Sequence, residues 1–541
     1  MISLQEARMA FSWKLYGDGK TPPIGEAVAP DERLSWGRTT GIGAQHVVAM
    51  FGATFVFPLI MGLDPNLAIM MSGIATIIFL LIVQGKVPSY LGTSASFVGG
   101  VIAIRAGGGD SGDVVGSILI AGVVLAIVGV IIHYAGARVL NKILPPAVTG
   151  AVVMLIGFNL APVVANIYWP QDQWVALATM TFVIVAALVL RGFVARISIL
   201  LGLVFGFVLS WILDQTAGDI TSKLPGANLL DSDGQPCDVE GTYCVATAFA
   251  HQRTDFSGVS SADWFGLPTF TAPSFSVNFT LLVLPAVIAL VAENTGHVKA
   301  VAEMTKRDLD PVLGRAIFAD GVGTVVASSV GGSPTTTYAE NIGVMAATRV
   351  YSTAAYYIAA LVAILFGLVP KFGALIAATP GGVLGGITVV LYGMIGLLGA
   401  KIWKENRVDF GNPINLVPLA AGIIIAIGNV TLVFTDTYSL GGIALGTIVV
   451  VVGWHLARVL APAELQEALT TEGRLAGEGD VVGDGRADRR SGMRNDAPTR
   501  AASKTATDKR TDAARSGADS SRSGPSGKAG SRPTKAVRKK R

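Results

Sequence analysis

The chain has 541 residues, 51% of them hydrophobic and only 14% charged, with a formal net charge of +4. Soluble domains usually carry about 25% charge, and here the apolar residues come in blocks of about 20, enough to cross a hydrocarbon core of about 30 Å. These figures exclude an ordinary soluble protein and define a polytopic membrane protein in the lipid bilayer. Its positive charge is gathered in loops and the C-terminal tail, so no nucleic-acid partner is expected.

Residues 1–38 are mixed and polar, lack a signal-peptide apolar core, and read as a soluble N-terminal segment. The first predicted spans are Ile42–Met61 and Leu67–Val83. The next stretch, Val87–Gly100, is too rich in Gly and Ser for a lipid-facing helix. Broken backbone at membrane depth is tolerated only where protein buries it or it lines a cavity. Further spans are predicted at Val114–His133, Ala147–Val164, Val175–Leu190 and Ile197–Leu213. A polar loop, 214–272, separates these from Phe279–Val298, Leu313–Val330, a short segment Tyr338–Thr348, Tyr351–Val369, Gly382–Leu398, Ile414–Val430 and Leu440–Leu460. The expected fold is therefore all-α, with about fourteen segments. The tail, 461–541, is poor in large apolar residues and reads as disordered and basic.

Charge asymmetry orients the chain. With the N-terminus cytoplasmic, the inner loops carry Lys86, Arg138, Lys142, Arg191, Arg196, Lys299, Lys306, Arg307, Arg349, Lys401, Lys404 and Arg407, and the outer loops mainly Asp64, Asp110, Asp113, Asp172 and Asp436. Arg105 and Lys371 are exceptions to a pattern that otherwise obeys the positive-inside rule. Both termini then lie inside. The loop holding Cys237 and Cys244 lies outside, where those thiols can pair or remain free.

The motif P-x-x-V-x-G heads two spans, at Pro145–Gly150 and Pro380–Gly385, and the broken stretch Ser94–Gly100 has a counterpart in Thr337–Gly343. Two sets of seven segments are related by an odd number, so the second is expected to be inverted. Inverted repeats with paired short segments place a transporter's site near the bilayer midplane.

The candidate site residues are polar groups at membrane depth. Glu293 interrupts the apolar run LLVLPAVIALVAENTGHV, where an unpaired carboxylate costs several kcal/mol; the alternative is a span-end acid that reaches water. His297, four residues on, shares its helical face and either relays a proton with Glu293 or caps the helix end. Pro334 breaks any continuous helix through Ser333–Tyr338, so a half-helix should begin near Glu340 and present bare N–H groups. The Ser94–Phe97 segment offers a facing set of amides. Carboxylates beside amide donors suit a flat, neutral ring with N–H groups next to carbonyls, walled by Phe97, Tyr338 and Tyr392. Two neighbouring carboxylates repel, so the site should take up a proton readily. Asp320 and His46 are read as structural hydrogen-bonding groups, with proton relay as the alternative.

These residues resemble the nucleobase–ascorbate transporter (nucleobase:cation symporter-2) family. Glu340-Asn341-Ile342-Gly343, followed by Thr348-Arg349, matches its signature, and GAQHVVAMFGATFVFP (43–58), GKVPSYLGTSASF (85–97) and TTYAENIGVMAATRVYS (336–352) are similar to bacterial uracil permeases. The resemblance covers about residues 31–460. It implies two inverted repeats of seven segments, with segments 3 and 10 short and broken. The core domain would comprise 39–135 and 273–370, and the gate domain 136–213 and 371–460. It further implies alternating access, a homodimer, a plasma-membrane location, no cofactor, and a proton as coupling ion. By motif, Glu293 and Glu340 would bind the nucleobase, the amides of Phe97 and Ala339 its carbonyls, and Ala53, Tyr338 and Tyr392 would line the pocket. His297, with Glu293, would serve proton coupling. Ala95, Ser96 and Ala339 depart from the uracil-permease pattern. Glu at position 340 favours uracil, because xanthine and urate carriers more often have Gln there. A xanthine or urate carrier is the nearest alternative, and an anion exchanger or channel on a related fold the next. No catalytic constellation points to an enzyme.

Overall fold

The computed structural model describes residues 12–467 and 469, apart from 24, 137–141, 192, 223–228, 232–243, 247 and 436–437. Cys237, and with it the disulfide expectation, lies outside the described residues, as does nearly all of the tail.

The chain opens with two short parallel strands, β1 (Lys14–Leu15) and β2 (Glu32–Arg33). Seven segments follow: α1 (Trp36–Met61), α2 (Pro65–Ile82), strand β3 (Leu91–Thr93) leading into α3 (Val98–Ala106), α4 (Ser111–Ala135), α5 (Pro146–Asn159), α6 (Gln173–Val189) and α7 (Ser198–Thr216). The loop contains two antiparallel pairs, β4 (Ile220–Ser222) with β7 (Phe249–His251) and β5 (Leu229–Asp231) with β6 (Cys244–Ala246). Then come α8 (Val277–Thr305), α9 (Asp310–Ser328), strand β8 (Thr335–Thr337) leading into α10 (Ala339–Thr348), α11 (Thr353–Gly367), α12 (Gly381–Glu405), α13 (Pro413–Ile427), the hairpin β9 (Thr431–Thr435)–β10 (Tyr438–Gly441), and α14 (Gly442–Leu460). Eight of the described helices are long and apolar enough to cross a membrane alone, and α11 with its continuation Pro370–Ala377, bent by 82°, makes a ninth. α3, α6 and α13 are apolar but shorter.

Local chemistry sets the helix ends. Asp64 accepts from the Asn66 and Leu67 amides ahead of α2, with Pro65 as its first residue. Asp110 and Asp113 form a capping box on α4, and Gly62 closes α1 in the left-handed region at φ 65°.

The helix pairings repeat when each segment is exchanged for the one seven positions on. α4 packs on α9 as α11 packs on α2; α6 packs on α7 as α13 on α14; α6 meets α12 as α13 meets α5. The pairs α2–α9 and α5–α12 map onto themselves. Close approach depends on glycine. At Gly129 an added Cβ would lie 2.3 Å from the Phe318 amide, and at Gly321 2.4 Å from that of Ala126, so α4 and α9 touch backbone to backbone.

The N-terminal segment, read as soluble, is over its described part a strap packed on the helices. Val28 bridges to Val350, Thr353 N–H donates to the Pro30 carbonyl (3.1 Å), and Arg349 donates to the Pro23 carbonyl (2.6 Å). Val28, Leu34 and Val350 form a small buried cluster. Asp31 pairs with Arg307 at 2.8 Å, and that hydrogen bond holds its carboxyl below the usual range. On the loop side, Arg253 ties Asp172 (2.7 Å), at the head of α6, to Asp214 (3.2 Å), near the end of α7.

β3 is seated equally tightly. A Cβ at Gly92 would lie 2.4 Å from the Tyr338 ring and 2.8 Å from the Thr54 hydroxyl. Gly92→Ala should therefore cost about 1–3 kcal/mol through overpacking, whereas Gly41→Ala, on an open face of α1, should not destabilise. Thermal unfolding of the purified variants measures the difference.

Candidate functional site

The site is built where the two broken segments cross. β3 and β8 pair antiparallel with Leu91 opposite Thr337, Gly92 opposite Thr336 and Thr93 opposite Thr335. The ladder continues at both ends: Ser94 N–H donates to the Pro334 carbonyl (2.8 Å) and Tyr338 N–H to the Tyr90 carbonyl (3.0 Å). All six strand residues are buried. Pairing satisfies backbone that would otherwise lack partners at this depth. α9 ends at Ser328, where Gly331 turns the chain at φ 96° and Gly332 N–H donates to the Ala327 carbonyl (2.9 Å); Pro334 comes only after that turn, and its carbonyl closes the ladder.

Each strand ends at a half-helix. After β8, Tyr338 is the extended N-cap of α10 and gives no side-chain cap. Ala339 and Glu340 thus form the first turn, where amides lack intrahelical acceptors. After β3, the Ser94 hydroxyl accepts from the Ser96 amide (3.3 Å), and one 3₁₀ turn, Ala95–Phe97, leads to α3, whose N-cap Phe97 likewise has no side-chain cap. The Ala339 amide is the first of α10, and the Phe97 amide closes the 3₁₀ turn that leads into α3, so each lies at the head of a short helix.

Glu293, on α8, and Glu340, on α10, are half-buried, and α8 packs on both α10 and the Ala95–Phe97 turn. His297, one turn below Glu293, reaches β8: its Nδ1 is 2.8 Å from the Thr337 hydroxyl. That hydroxyl donates to Asn294 Oδ1 (3.0 Å), and Asn294 Nδ2 donates to Asp320 on α9. The direction of donation fixes the imidazole. Because Thr337 gives its only proton to Asn294, it accepts from His297, which holds a proton on Nδ1 and leaves Nε2 available.

The remaining predicted residues fall into place individually. The Tyr338 hydroxyl donates to the Thr93 carbonyl (2.8 Å) and accepts from Thr54 (3.3 Å), so this ring clamps β3 beside Ala53, which is buried on α1. Phe97 is buried in the main apolar cluster, and Ala339 is exposed at the head of α10. Tyr392 is buried on α12, where it lines an apolar cavity of about 480 Å³ with Gly157, Phe158, Trp169 and Val389. His46 braces α1 against α10: Asn341 Nδ2 donates to its Nδ1 (3.1 Å) and its carbonyl (3.0 Å), and its ring packs 4.2 Å from that of Tyr356.

Asn294 and Thr337 were not singled out from the sequence. The available signal was an amide next to Glu293 in an apolar span, and a threonine in a run of three.

A helical membrane protein with two broken segments crossing beside half-buried carboxylates fits the transporter class, and comparison with known proteins agrees. A family model described as "Permease family" (Xan_ur_permease) matches residues 37–434. Over 78% of this chain, 42% of positions are identical to RutG of Escherichia coli (strain K12), named as a pyrimidine permease, with 89% of RutG covered. Uracil permeases of Bacillus caldolyticus and Escherichia coli (strain K12) are 35% and 33% identical, each over 81% of this chain and over 95% and 96% of their own lengths. The transmembrane domain of a cyanobacterium bicarbonate transporter, BicA, shares the fold with a TM-score of 0.50 and 14% identity over 77% of this chain and 96% of its own. SLC26A9 does so at 0.54 and 12%, over 77% of this chain and 64% of its own. The chain belongs to the permease family, the nucleobase–ascorbate transporter family of the signature at Glu340–Arg349.

Thr337 is the joint of the polar chain. Thr337→Val should cost about 1–3 kcal/mol, because it leaves buried groups of His297 and Asn294 without partners. Thr337→Ser should restore most of that loss, as read by thermal unfolding of the two purified variants.

Proposed function

We propose that the protein imports a nucleobase, uracil in preference, together with a proton. The observation that carries this reading is the placement of Glu293 and Glu340 beside the heads of α3 and α10. Carboxylates accept the two ring N–H groups, and helix-head amides donate to the ring carbonyls. An anion suits the site poorly, because both carboxylates would repel it. The relatives named for uracil and pyrimidine transport support the substrate class.

Proton coupling rests on charge balance. Two adjacent carboxylates in a site of low dielectric are not both charged without a large cost, so the loaded site holds a proton. His297 stands beside Glu293 with Nε2 available and its other nitrogen held by Thr337. It can take a proton from Glu293 and return it as the site opens to the other side.

Movement follows from the packing sets. The first set is α1–α4 with α8–α11, which contains both strands and both glutamates; the second is α5–α7 with α12–α14. We assign the first as the core domain and the second as the gate domain, with alternating access by motion of one against the other, homodimers through the gate, and a plasma-membrane location with both termini cytoplasmic. The stronger helix contacts fall within these sets, in support of the division.

Proteoliposomes containing the full-length protein should accumulate radiolabelled uracil under an inside-alkaline gradient, and a protonophore should abolish accumulation. Xanthine outcompeting uracil would overturn the substrate assignment. His297→Ala should lower accumulation far more than equilibrium uracil binding, and equal losses in both would remove its coupling role.

A further inference from the structure

The stretch 264–277, WFGLPTFTAPSFSV, carries no charged side chain although it belongs to a loop. Its backbone is pinned along one rim of the helix bundle. Just before it, the Asp263 carbonyl accepts from Lys371 N–H (3.0 Å). Gly266 N–H then donates to Leu368 (3.1 Å), Thr269 N–H to the Asp64 carboxylate (2.9 Å), Thr271 N–H to Val330 (3.1 Å) and Ser274 N–H to Gly112 (3.0 Å), while the Ser274 hydroxyl bonds Asp113 (2.6 Å). These partners lie at the ends of α11, α2, α9 and α4 in turn. The seat is close: an added Cβ at Gly331 would lie 2.6 Å from the Thr271 amide, and one at Gly116 1.7 Å from the Ser274 carbonyl.

The side chains do the opposite. Trp264, Phe265, Leu267, Phe270, Phe275 and Val277 are 52–77% exposed. Burying one such side chain fully is worth roughly 1.5–3 kcal/mol, so six left in water on one strap is a large unused driving force. The strap starts and ends on helices with exposed apolar side chains, Leu361 and Leu365 near the strap's end of α11 and, further down the helix, Ile127 and Ile131 on α4. On the α11 side it continues that exposed apolar surface at the height of the helix ends. Lys371 sits 5.0 Å above the Trp264 ring, and aromatic and basic groups of this kind gather at the headgroup level.

We propose that Trp264–Val277 is a membrane-surface anchor, lying along the rim with its apolar side chains in the boundary between lipid headgroups and acyl chains. In that position it binds the ends of α2, α4, α9 and α11 to one another and to the bilayer surface.

The test uses the full-length chain with Cys237→Ser and Cys244→Ser, reconstituted in phosphatidylcholine–phosphatidylglycerol vesicles. Nitroxide labels are placed singly through Phe265→Cys and Phe270→Cys, with Ile127→Cys as the lipid-facing standard and Ser260→Cys, exposed on the preceding loop, as the aqueous standard. Collision with oxygen relative to a water-soluble nickel chelate should exceed the aqueous standard severalfold at 265 and 270 and fall below the deeper lipid standard. Ratios equal to that at 260 would overturn the proposal. So would spin–spin broadening at 265 or 270 that vanishes on dilution with unlabelled protein, since a second copy would then cover the strap.

Discussion

Backbone polar groups cannot be left unpaired inside a membrane, and the three-residue ladder between β3 and β8 is how this chain meets that constraint where its helices break. Each unmade bond would cost about 1–3 kcal/mol. The ladder, extended by Ser94–Pro334 and Tyr338–Tyr90, meets that requirement across both breaks. Once the strands are paired, the half-helices α3 and α10 have fixed starting points. Tyr338 adds a second constraint from the same place, since its ring rests on Gly92 and its hydroxyl is committed to the Thr93 carbonyl.

The polar groups around the ladder then divide into two kinds. His46 with Asn341 and Asp320 with Asn294 hold α1, α8, α9 and α10 to one another by hydrogen bonds within the protein. Glu293, Glu340 and His297 are only half-buried and keep capacity to spare. The first kind sets the positions of the second: Asp320 reaches His297 through Asn294 and Thr337, and this chain decides which imidazole nitrogen carries its proton. The selectivity proposed for a neutral ring rests on carboxylates and helix-head amides held at fixed places.

Much of this was readable in the residues. Pro334 after two glycines announces a break, and Glu293 inside an apolar run marks a candidate site, because both violate what a lipid-facing helix tolerates. The order of fourteen segments followed from apolar block length. What stayed hidden depended on tertiary distance. Thr337 is one of three threonines in a row, and only its place opposite Leu91 and beside α8 distinguishes it. Residues 13–35 have a soluble composition, yet backbone bonds to Arg349 and Thr353 hold them on the helices. The same holds for 264–277, whose backbone contacts are legible only from the fold. The residue reading and the resemblance both group Tyr392 with the carboxylates, and its described surroundings are the apolar wall between α5 and α12.

The central claim is that Glu340, at the head of α10, accepts a hydrogen bond from the ring of a neutral nucleobase. Calorimetric titration of uracil into the purified full-length protein and into Glu340→Gln tests it most directly. The wild-type chain should bind uracil, and the variant should lose roughly tenfold or more in affinity, about 1.4 kcal/mol, while unfolding at a similar temperature. Equal affinity in a folded Glu340→Gln protein would contradict the account.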